Sequence, residues 1–333
     1  MSPESKPIFD PNHHLVLATD LLKDCLLSCF EDLVRSEGPH KVFSATSLHG
    51  YNAGFAGASN IKERLGQNND DPRTMAMVWS FAHNAFRRRP DVKIGADWCV
   101  AFVRRCSHLS GGPEICMLEC ISVGKGMAES LGRDLDFIMT TCIAAQDDCC
   151  TQIFKPSSMG VASILNELPL REWEEDLVPI SEEEALSYYR AYLGEFWLII
   201  IRSAVDLLGG ERTFDLFKER MYRLGVKWGP VLHREFSKAF GRSIGISEMI
   251  DSLNAILLQR GGDVARSNEV AIKEMDMCPF SSGPPESCRL FEELIKGMIT
   301  SVDASHHFKY QRTMSDGASS CIWILNRGTT SMK

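Results

Sequence analysis

Cys106-Ser-His-Leu-Ser-Gly-Gly-Pro-Glu-Ile-Cys116 and Cys278-Pro-Phe-Ser-Ser-Gly-Pro-Pro-Glu-Ser-Cys288 are two copies of one motif in this 333-residue chain. They align without a gap and agree at six of eleven positions. Self-similarity at a fixed distance along a chain is the signature of a duplicated architecture. The sequence therefore predicts a tandem repeat, in which the second copy follows the first after half the length of the chain.

The similarity extends downstream after a one-residue adjustment. Lys125-Gly126-Met127 then pairs with Lys296-Gly297-Met298. Cys150 pairs with Cys321, although Cys149 fits Cys321 equally well without the adjustment. The first copy also departs from the second, because Ser107 stands where the second copy has a proline.

The upstream similarity consists of glycines. Gly50 and Gly54 align with Gly225 and Gly229 across a small gap, and Gly66 falls opposite Gly241 at the same distance. Paired glycines allow either close helix packing or backbone contact with a ligand. The predicted organisation is an arm (1–12), a first repeat (13–155), a connector (156–180), a second repeat (181–328) and a tail (329–333).

Each repeat is predicted to begin with helices and to continue as a β-α-β-β unit. Ser181-Glu-Glu-Glu184 is a capping box, and the helix that it begins should run to Leu208. A second amphipathic helix should end in the Gly225 region, and Asp71-Pro72 should cap the helix that carries His83. Strands are expected around Val100 and Ile272, a helix from Cys288 to about Ile299, and a hairpin around the Ser315-Asp-Gly turn. The predicted fold is α+β, with two homologous halves packed as a pseudo-two-fold dimer within one chain.

Composition limits the classes of partner. A formal charge of −8 and a pI of about 5.7 argue against nucleic acid or anionic lipid as the main partner. The longest strongly apolar run, 196–201, is too short to span a bilayer, and the first residues do not form a secretory signal. We expect a cytoplasmic protein that is a monomer because its repeat mimics a dimer. No phosphate loop, dinucleotide fingerprint or His-Glu-x-x-His motif is present, so no cofactor is predicted.

The 12 cysteines allow three interpretations. In a reducing compartment they can be buried structural thiols, metal ligands or a catalytic nucleophile. Cys278, Cys288 and Cys321 form the candidate ligand set. Cys288 is the candidate nucleophile, because the free amides of a helix first turn should lower its pKa. Glu286 could carry protons for it or favour the helix N-terminus electrostatically.

Aromatic and polar residues supply the other candidates. His83 lies on one helical stripe with Trp79 and Phe86, where it is either a packed core histidine or the acid or base of a pocket. Trp79 is predicted to bind substrate. The glycine-flanked segments are expected to project towards the region between the halves. Five residues in or near these segments are therefore predicted to bind substrate: Tyr51, Asn52, Lys227, Trp228 and His233.

The run from Cys278 to Cys321, with its Cys-Pro, Pro-x2-Cys, Lys-Gly and Asp-Gly-x3-Cys elements, resembles the L-2-amino-thiazoline-4-carboxylic acid hydrolase-like family. The resemblance covers about 50 residues well and implies an α+β domain that acts on a small molecule. The usual form of that family resembles a single domain, whereas this chain carries two copies.

Two classes of function follow from these observations. The first is a cofactor-independent enzyme, of specialised metabolism, that uses an apolar pocket. It would catalyse cyclisation or isomerisation, as in a Diels-Alderase-like cyclase, or ring hydrolysis by cleavage of a C–N or C–S bond. The second is a thiol-rich module that binds a metal or another ligand and has no catalytic role.

Overall fold

The chain folds into two successive sets of helices and strands, which have the same order apart from one helix at the end of the first set. The computed structural model describes residues 11–85, 88–105, 116–132, 134–170, 172, 177–257, 260–266, 270–278 and 280–327. The first set comprises α1 (Pro11–Glu37), α2 (Pro39–Arg64), α3 (Pro72–Ala85), β1 (Asp91–Ile94), β2 (Cys99–Val103), α4 (Val123–Leu131), β3 (Leu135–Thr141), β4 (Cys150–Pro156) and α5 (Val161–Glu167). The second set comprises α6 (Glu182–Leu208), α7 (Gly210–Phe240), α8 (Ile246–Ile256), β5 (Arg260–Arg266), β6 (Val270–Met277), α9 (Pro285–Val302), β7 (His306–Arg312) and β8 (Cys321–Arg327).

The strands form two antiparallel sheets with the same topology. The first has the order β1-β2-β4-β3 and the second the order β5-β6-β8-β7. The predicted α+β class is confirmed, and so is the helix cap at Asp71, whose carboxylate accepts from the Thr74 amide. Only the serine half of the predicted capping box is present: the Glu184 amide donates to the Ser181 hydroxyl, but the Glu184 carboxylate binds Arg64. The pseudo-two-fold packing of the halves stays a prediction.

Two details of the predicted halves are wrong. Each sheet has an additional edge strand, β1 or β5, so the unit is ββαββ, not βαββ. The helix that was expected to end near Gly225 continues to Phe240, through Gly229 and Pro230. Apolar residues at helical spacing, including Leu224, Trp228 and Leu232, are buried on both sides of Gly225. Packing of this face therefore outweighs the weak helix propensity of the glycines.

Close helix contacts correct the upstream alignment of the two copies. A Cβ on Gly54 would lie 2.1 Å from the Val123 carbonyl oxygen, and one on Gly225 would lie 2.0 Å from that of Leu294. Gly54 and Gly225 therefore occupy equivalent places, and the predicted pairing of Gly50 with Gly225 is wrong by one helical turn. The glycines thus serve close helix packing.

The lysine-glycine motif belongs to the same helix contacts. A Cβ on Gly126 would lie 2.0 Å from the Tyr51 carbonyl oxygen, and one on Gly297 would lie 2.0 Å from that of Tyr222. The separation of Gly126 and Gly297 along the chain equals that of Gly54 and Gly225. Both copies consequently pack two helices together through glycines on each partner, α2 with α4 and α7 with α9.

The one-residue adjustment between the copies also has a structural cause. The first copy has one more residue than the second between its helix cysteine, Cys116, and its packing glycine, Gly126. In this interval, Met117–Ser122 form a π-helical turn that leads into α4. A single π turn accommodates one inserted residue in a helix without moving the residues that follow. The π turn therefore keeps Gly126 at its packing position.

The first helix of the chain packs with elements of the second copy. Unit 1 is the compact unit that contains residues up to Val42 together with residues from Arg190 onward, and unit 2 contains 43–189. In unit 1, α1 contacts α7 and α8. Its buried stripe repeats at three- and four-residue intervals and comprises Leu17, Leu21, Leu22, Leu26, Phe30 and Leu33. The first turns of α6 belong to unit 2, where Tyr188 packs edge-on against Phe81.

The predicted connector contributes to the core of unit 2. It contains α5, whose Ile164 is fully buried and packs with Trp98, which precedes β2, and with Val100 and Ile153 of the first sheet. Over the described ranges, no helix is both long and apolar enough to cross a bilayer.

Candidate functional site

In unit 1, helix α9 holds Cys288 against the turn that precedes β8. Pro285 occupies the first helical position, where its fixed φ favours helix initiation and its missing N–H leaves no hydrogen bond unmade. The turn is a short 3-10 helix, Met314–Asp316, followed by Gly317 with a φ of +89°. Its Met314 amide lies 3.2 Å from Cys321 Sγ. The thiol of Cys321 thus fixes the turn that faces Cys288.

A chain of polar contacts links the Cys288 thiol to a carboxylate. Cys288 Sγ and Ser315 Oγ are 3.0 Å apart, and Ser315 Oγ and Thr313 Oγ1 are also 3.0 Å apart. Thr313 Oγ1 donates a hydrogen bond to Asp316 Oδ2. An ionised carboxylate only accepts hydrogen bonds, so the proton of Thr313 is committed to Asp316. Ser315 Oγ donates to Cys288 Sγ, and because a hydroxyl proton can rotate, Ser315 can instead donate to Thr313 and accept the thiol proton.

Burial sets the protonation of this thiol. Cys288 is 7% exposed, and burial raises its pKa, while the hydrogen bond that Ser315 donates to the sulfur acts in the opposite direction. The sequence predicted a lowered pKa, because free amides of the first helical turn stabilise a thiolate. The pKa is raised instead, because the loss of solvation on burial has the larger effect. Cys288 therefore rests as a neutral thiol, and its proton must leave as the sulfur reacts.

The first copy lacks the equivalent polar chain. We align the two copies by the separation along the chain between Gly54 and Gly225. The positions equivalent to Thr313, Ser315 and Asp316 are then Cys142, Ala144 and Ala145. Cys142 packs with Val103, Cys116 and Cys150 in an apolar cluster, and Ala144 lies against it. The Ile143 amide lies 3.3 Å from Cys150 Sγ, which matches the Met314–Cys321 contact and identifies Cys150, not Cys149, as the partner of Cys321. The two copies therefore share the thiol-anchored turn but not the hydroxyl-carboxylate chain.

The other predicted residues of this region have different surroundings. The carboxylate of Glu286 lies against Gly210, and the described contacts do not bring it to the polar chain. Burial, and secondarily the neighbouring Cys288, Cys278 and Cys321, raises the pKa of Tyr310. Within the described ranges, no three His, Cys, Asp or Glu side chains form a group that could hold a metal, so the proposed ligand set is not assembled there. The described cysteines are free thiols, and Cys106 and Glu114 lie outside the described residues.

In unit 2, the structure joins Trp79 and His83 of α3 through Gln152 of β4. Trp79 Nε1 donates to Gln152 Oε1 at 2.8 Å, and His83 Nε2 lies 2.8 Å from the same oxygen. An indole N–H can only donate, so the shared amide atom must be the oxygen. His83 must then carry its proton on Nε2, which leaves Nδ1 as a hydrogen-bond acceptor.

His83 stays neutral at ordinary pH. Burial, and secondarily the positive charge of Arg88, lowers its pKa to about 3, although the hydrogen bond to Gln152 acts in the opposite direction. The ring packs edge-on against Trp79 at a centroid distance of 4.8 Å, and Trp79 also contacts Phe137 and Phe154. The interpretation of His83 as a packed core histidine explains the hydrogen bond of Nε2. It does not explain why Nδ1 is buried with no hydrogen-bond partner among the described residues. Phe86, predicted on the same stripe, lies outside those residues.

We expect the neutral state of His83 to make stability depend on pH. The unfolded chain takes up this proton near pH 6.5 and the folded chain only near pH 3, so stability falls as pH falls between these values. The slope contributed by His83 is about 1.4 kcal/mol per pH unit, or about 2 to 3 kcal/mol between pH 7 and pH 4.5.

Urea unfolding at several pH values measures this slope. His83→Gln should flatten it, whereas His233→Gln, a change to a histidine in unit 1, should keep it. An equal slope in wild type and His83→Gln would contradict a buried neutral His83.

The predicted substrate-binding residues make structural contacts or face solvent. Tyr51 bonds Glu129 between α2 and α4, and Asn52 is exposed. In α7, Lys227 Nζ and Trp228 Nε1 bond Asp24 Oδ2 of α1 at 2.7 and 2.9 Å.

His233 lies at a surface groove in unit 1. Its Nε2 lies 2.9 Å from the Ile244 carbonyl oxygen. The groove has a volume of about 490 Å³ and is lined by polar and charged residues: His233, Arg234, Ser237, Lys238, Gly241 and Ser243. None of these lining residues has the aliphatic side chain that was expected of an apolar substrate pocket.

Sequence reasoning missed Thr313, Ser315, Asp316 and Gln152. A signal for the first three was present in the aligned copies. At these positions the second copy has hydroxyl or carboxylate side chains, whereas the first copy has cysteine or alanine. Gln152 had no such signal, since a glutamine on a strand is ordinarily a solvent-facing residue.

No model of a known protein family matches this chain, and no curated protein is significantly similar to it.

Proposed function

We propose that this protein is a cofactor-independent enzyme of small-molecule metabolism in which Cys288 is the nucleophile. The observation that carries the proposal is the chain Cys288–Ser315–Thr313–Asp316, which connects a buried neutral thiol to an exposed carboxylate. A thiol becomes an effective nucleophile when an adjacent group accepts its proton. The proposed reaction class is hydrolysis or acyl transfer at an sp² carbon bonded to nitrogen, oxygen or sulfur.

The proposed first step conserves atoms and charge. Sγ of Cys288 forms a bond to the electrophilic carbon, and the π electrons of that carbon move to its nitrogen or oxygen. The thiol proton passes to Ser315, the proton of Ser315 to Thr313, and that of Thr313 to Asp316. The displaced electrons then return to the carbon, the bond to the leaving group breaks, and the leaving group takes up the proton held on Asp316. In hydrolysis, water attacks the resulting thioester-like carbon, the C–S bond breaks, and the sulfur takes up the proton that the water loses.

The raised pKa of Cys288 is compatible with this order of events. A thiolate formed in advance would be desolvated in its buried position, whereas a proton that leaves during attack avoids that state. The resemblance of the Cys278–Cys321 run to the L-2-amino-thiazoline-4-carboxylic acid hydrolase-like family points to the same chemistry. Opening of such a ring at its C–S bond would use a nucleophile at the carbon between nitrogen and sulfur.

Cyclisation or isomerisation remains the second candidate, with His83 as the acid or base. It is favoured by the aromatic surroundings of that residue in unit 2, where Trp79, Phe137 and Phe154 pack together. We further propose that the enzyme acts as a monomer in the cytoplasm on a small organic substrate of specialised metabolism. The third candidate is a thiol-rich binding module. It becomes the preferred function if experiments find no chemistry at Cys288.

Covalent trapping with p-nitrophenyl acetate tests the thiol chemistry. The small acetyl group suits a buried thiol, and acid quenching followed by peptide mass spectrometry locates it. We expect one acetyl thioester per chain, on Cys288. Cys116, which is at the corresponding helix position of the first copy, is the internal control and should stay unmodified.

Labelling of Cys116 and Cys288 to equal extents, or no labelling of Cys288, would contradict the proposal. L-2-amino-thiazoline-4-carboxylate is the second probe. Opening of its C–S bond releases a new thiol, which Ellman's reagent measures after the protein has been removed.

A further inference from the structure

Three buried polar atoms lie on one face of α3 in unit 2. Ser80, His83 and Asn84 are 1%, 3% and 8% exposed, and their spacing of three and four residues places them side by side on a helix. Ser80 Oγ, His83 Nδ1 and Asn84 Oδ1 have no hydrogen-bond partner within the part of the chain that is described. Buried polar atoms in folded proteins are nearly always paired, so three adjacent exceptions point to a ligand.

The chemistry of each atom is fixed by its neighbours. His83 Nδ1 is an acceptor because Nε2 carries the proton that is shared with Gln152. Asn84 Oδ1 is an acceptor because Nδ2 of the same amide donates to the Val178 carbonyl oxygen at 3.0 Å. Ser80 Oγ can donate or accept. The face therefore offers two acceptors that need a donor and one hydroxyl that can bind either kind of group.

A positive charge completes this face. Arg88 is 5% exposed, and its charge acts on the His83 ring. Its backbone amide bonds the His83 carbonyl oxygen at 3.0 Å, which holds it next to the last turn of α3. A guanidinium group recognises a carboxylate through a planar set of donors. Donors and acceptors therefore occur together in one buried region.

We infer that Ser80, His83, Asn84 and Arg88 form a binding site for a small zwitterion of the α-amino acid class. The carboxylate of the ligand pairs with Arg88 and accepts a hydrogen bond from Ser80. Its ammonium group donates to Asn84 Oδ1 and His83 Nδ1. The aromatic side chains beside His83, with Trp79 first among them, restrict the ligand to a small or apolar side chain. This site lies in unit 2 and does not depend on chemistry at Cys288.

Isothermal titration calorimetry on the full chain at pH 7 tests the site with three probes. Glycine carries both charged groups, whereas acetate and methylammonium carry one each. We expect glycine to bind with a defined stoichiometry of one and more tightly than either single-ended probe. No glycine binding, or acetate binding as tight as that of glycine, would overturn the inference without any variant being needed.

Serine variants locate the binding. Ser80→Ala should weaken glycine binding about tenfold or more, because it removes a hydrogen bond to a charged group. Ser287→Ala is the matched control, since Ser287 is also a fully buried serine whose Oγ has no partner over the described ranges, but it lies in unit 1. Equal affinities in the two variants would place the ligand elsewhere and overturn the site. Cys288→Ala should leave glycine binding unchanged, which separates this result from the proposed thiol chemistry.

Discussion

Cys288→Ala should abolish covalent trapping by p-nitrophenyl acetate, because no other described thiol is joined to a carboxylate through hydroxyl groups as Cys288 is. Cys116→Ala, at the corresponding helix position of the first copy, should leave the rate unchanged. Asp316→Asn should slow acylation by roughly 10²- to 10⁴-fold, the range over which a positioned acid or base contributes to catalysis.

Thr313→Val should have an effect similar to that of Asp316→Asn, since it breaks the same chain at an interior position. Stopped-flow release of p-nitrophenolate gives the rates. Asp147→Asn is the matched control, because Asp147 in the first copy accepts a hydrogen bond from the Cys142 amide and has no link to a hydroxyl chain among the described contacts. Acylation that is equally fast in Asp316→Asn and wild type would show that Cys288 reacts without the proposed relay.

Gly54→Ala and Gly57→Ala should change stability in opposite directions, although both glycines lie in α2. A Cβ at position 54 would lie 2.1 Å from the Val123 carbonyl oxygen, so α2 and α4 must separate, and we expect a loss of about 3 kcal/mol. A Cβ at position 57 would have nothing within 4 Å, so alanine should stabilise the helix by about 1 kcal/mol.

Urea unfolding followed by circular dichroism measures both changes. Gly225→Ala should repeat the loss in the second copy, where the added Cβ would lie 2.0 Å from the Leu294 carbonyl oxygen. A neutral effect at positions 54 and 225 would show that the helices can move apart at little cost, and that glycine is not required at these crossings.

The duplication and the α+β class were predictable because they depend on periodicity and on repeated residues. Cys288 and Gly297 each have a counterpart in the first copy, and helix caps such as Ser181 give a local signal. The correct alignment of α2 with its counterpart α7 in the other copy was not predictable from glycine spacing alone. Gly66 and Gly241 both end their helices with a positive φ, but α7 has one more turn than α2 between the packing glycine and that end.

The candidate sites were only partly predictable, since they depend on tertiary contacts. Cys288 was found from its motif, but its partners Thr313 and Ser315 approach it only because the turn folds back onto α9. The pKa of Cys288 was predicted in the wrong direction, because burial cannot be read from helix position. Gln152 fixes the tautomer of His83 across 69 residues, a relation that no local pattern contains.

The placement of α1 in unit 1 has a consequence for the order in which the protein folds during synthesis. Contacts of α1 such as Asp32–Arg220 and Asp24–Lys227 join residues 188 and 203 positions apart. At about 5 to 20 residues per second, a ribosome needs roughly 10 to 40 s to make that interval. The apolar stripe of α1 lacks its packing surface for this time, so we expect α1 to join the core of unit 1 only after α7 has been made.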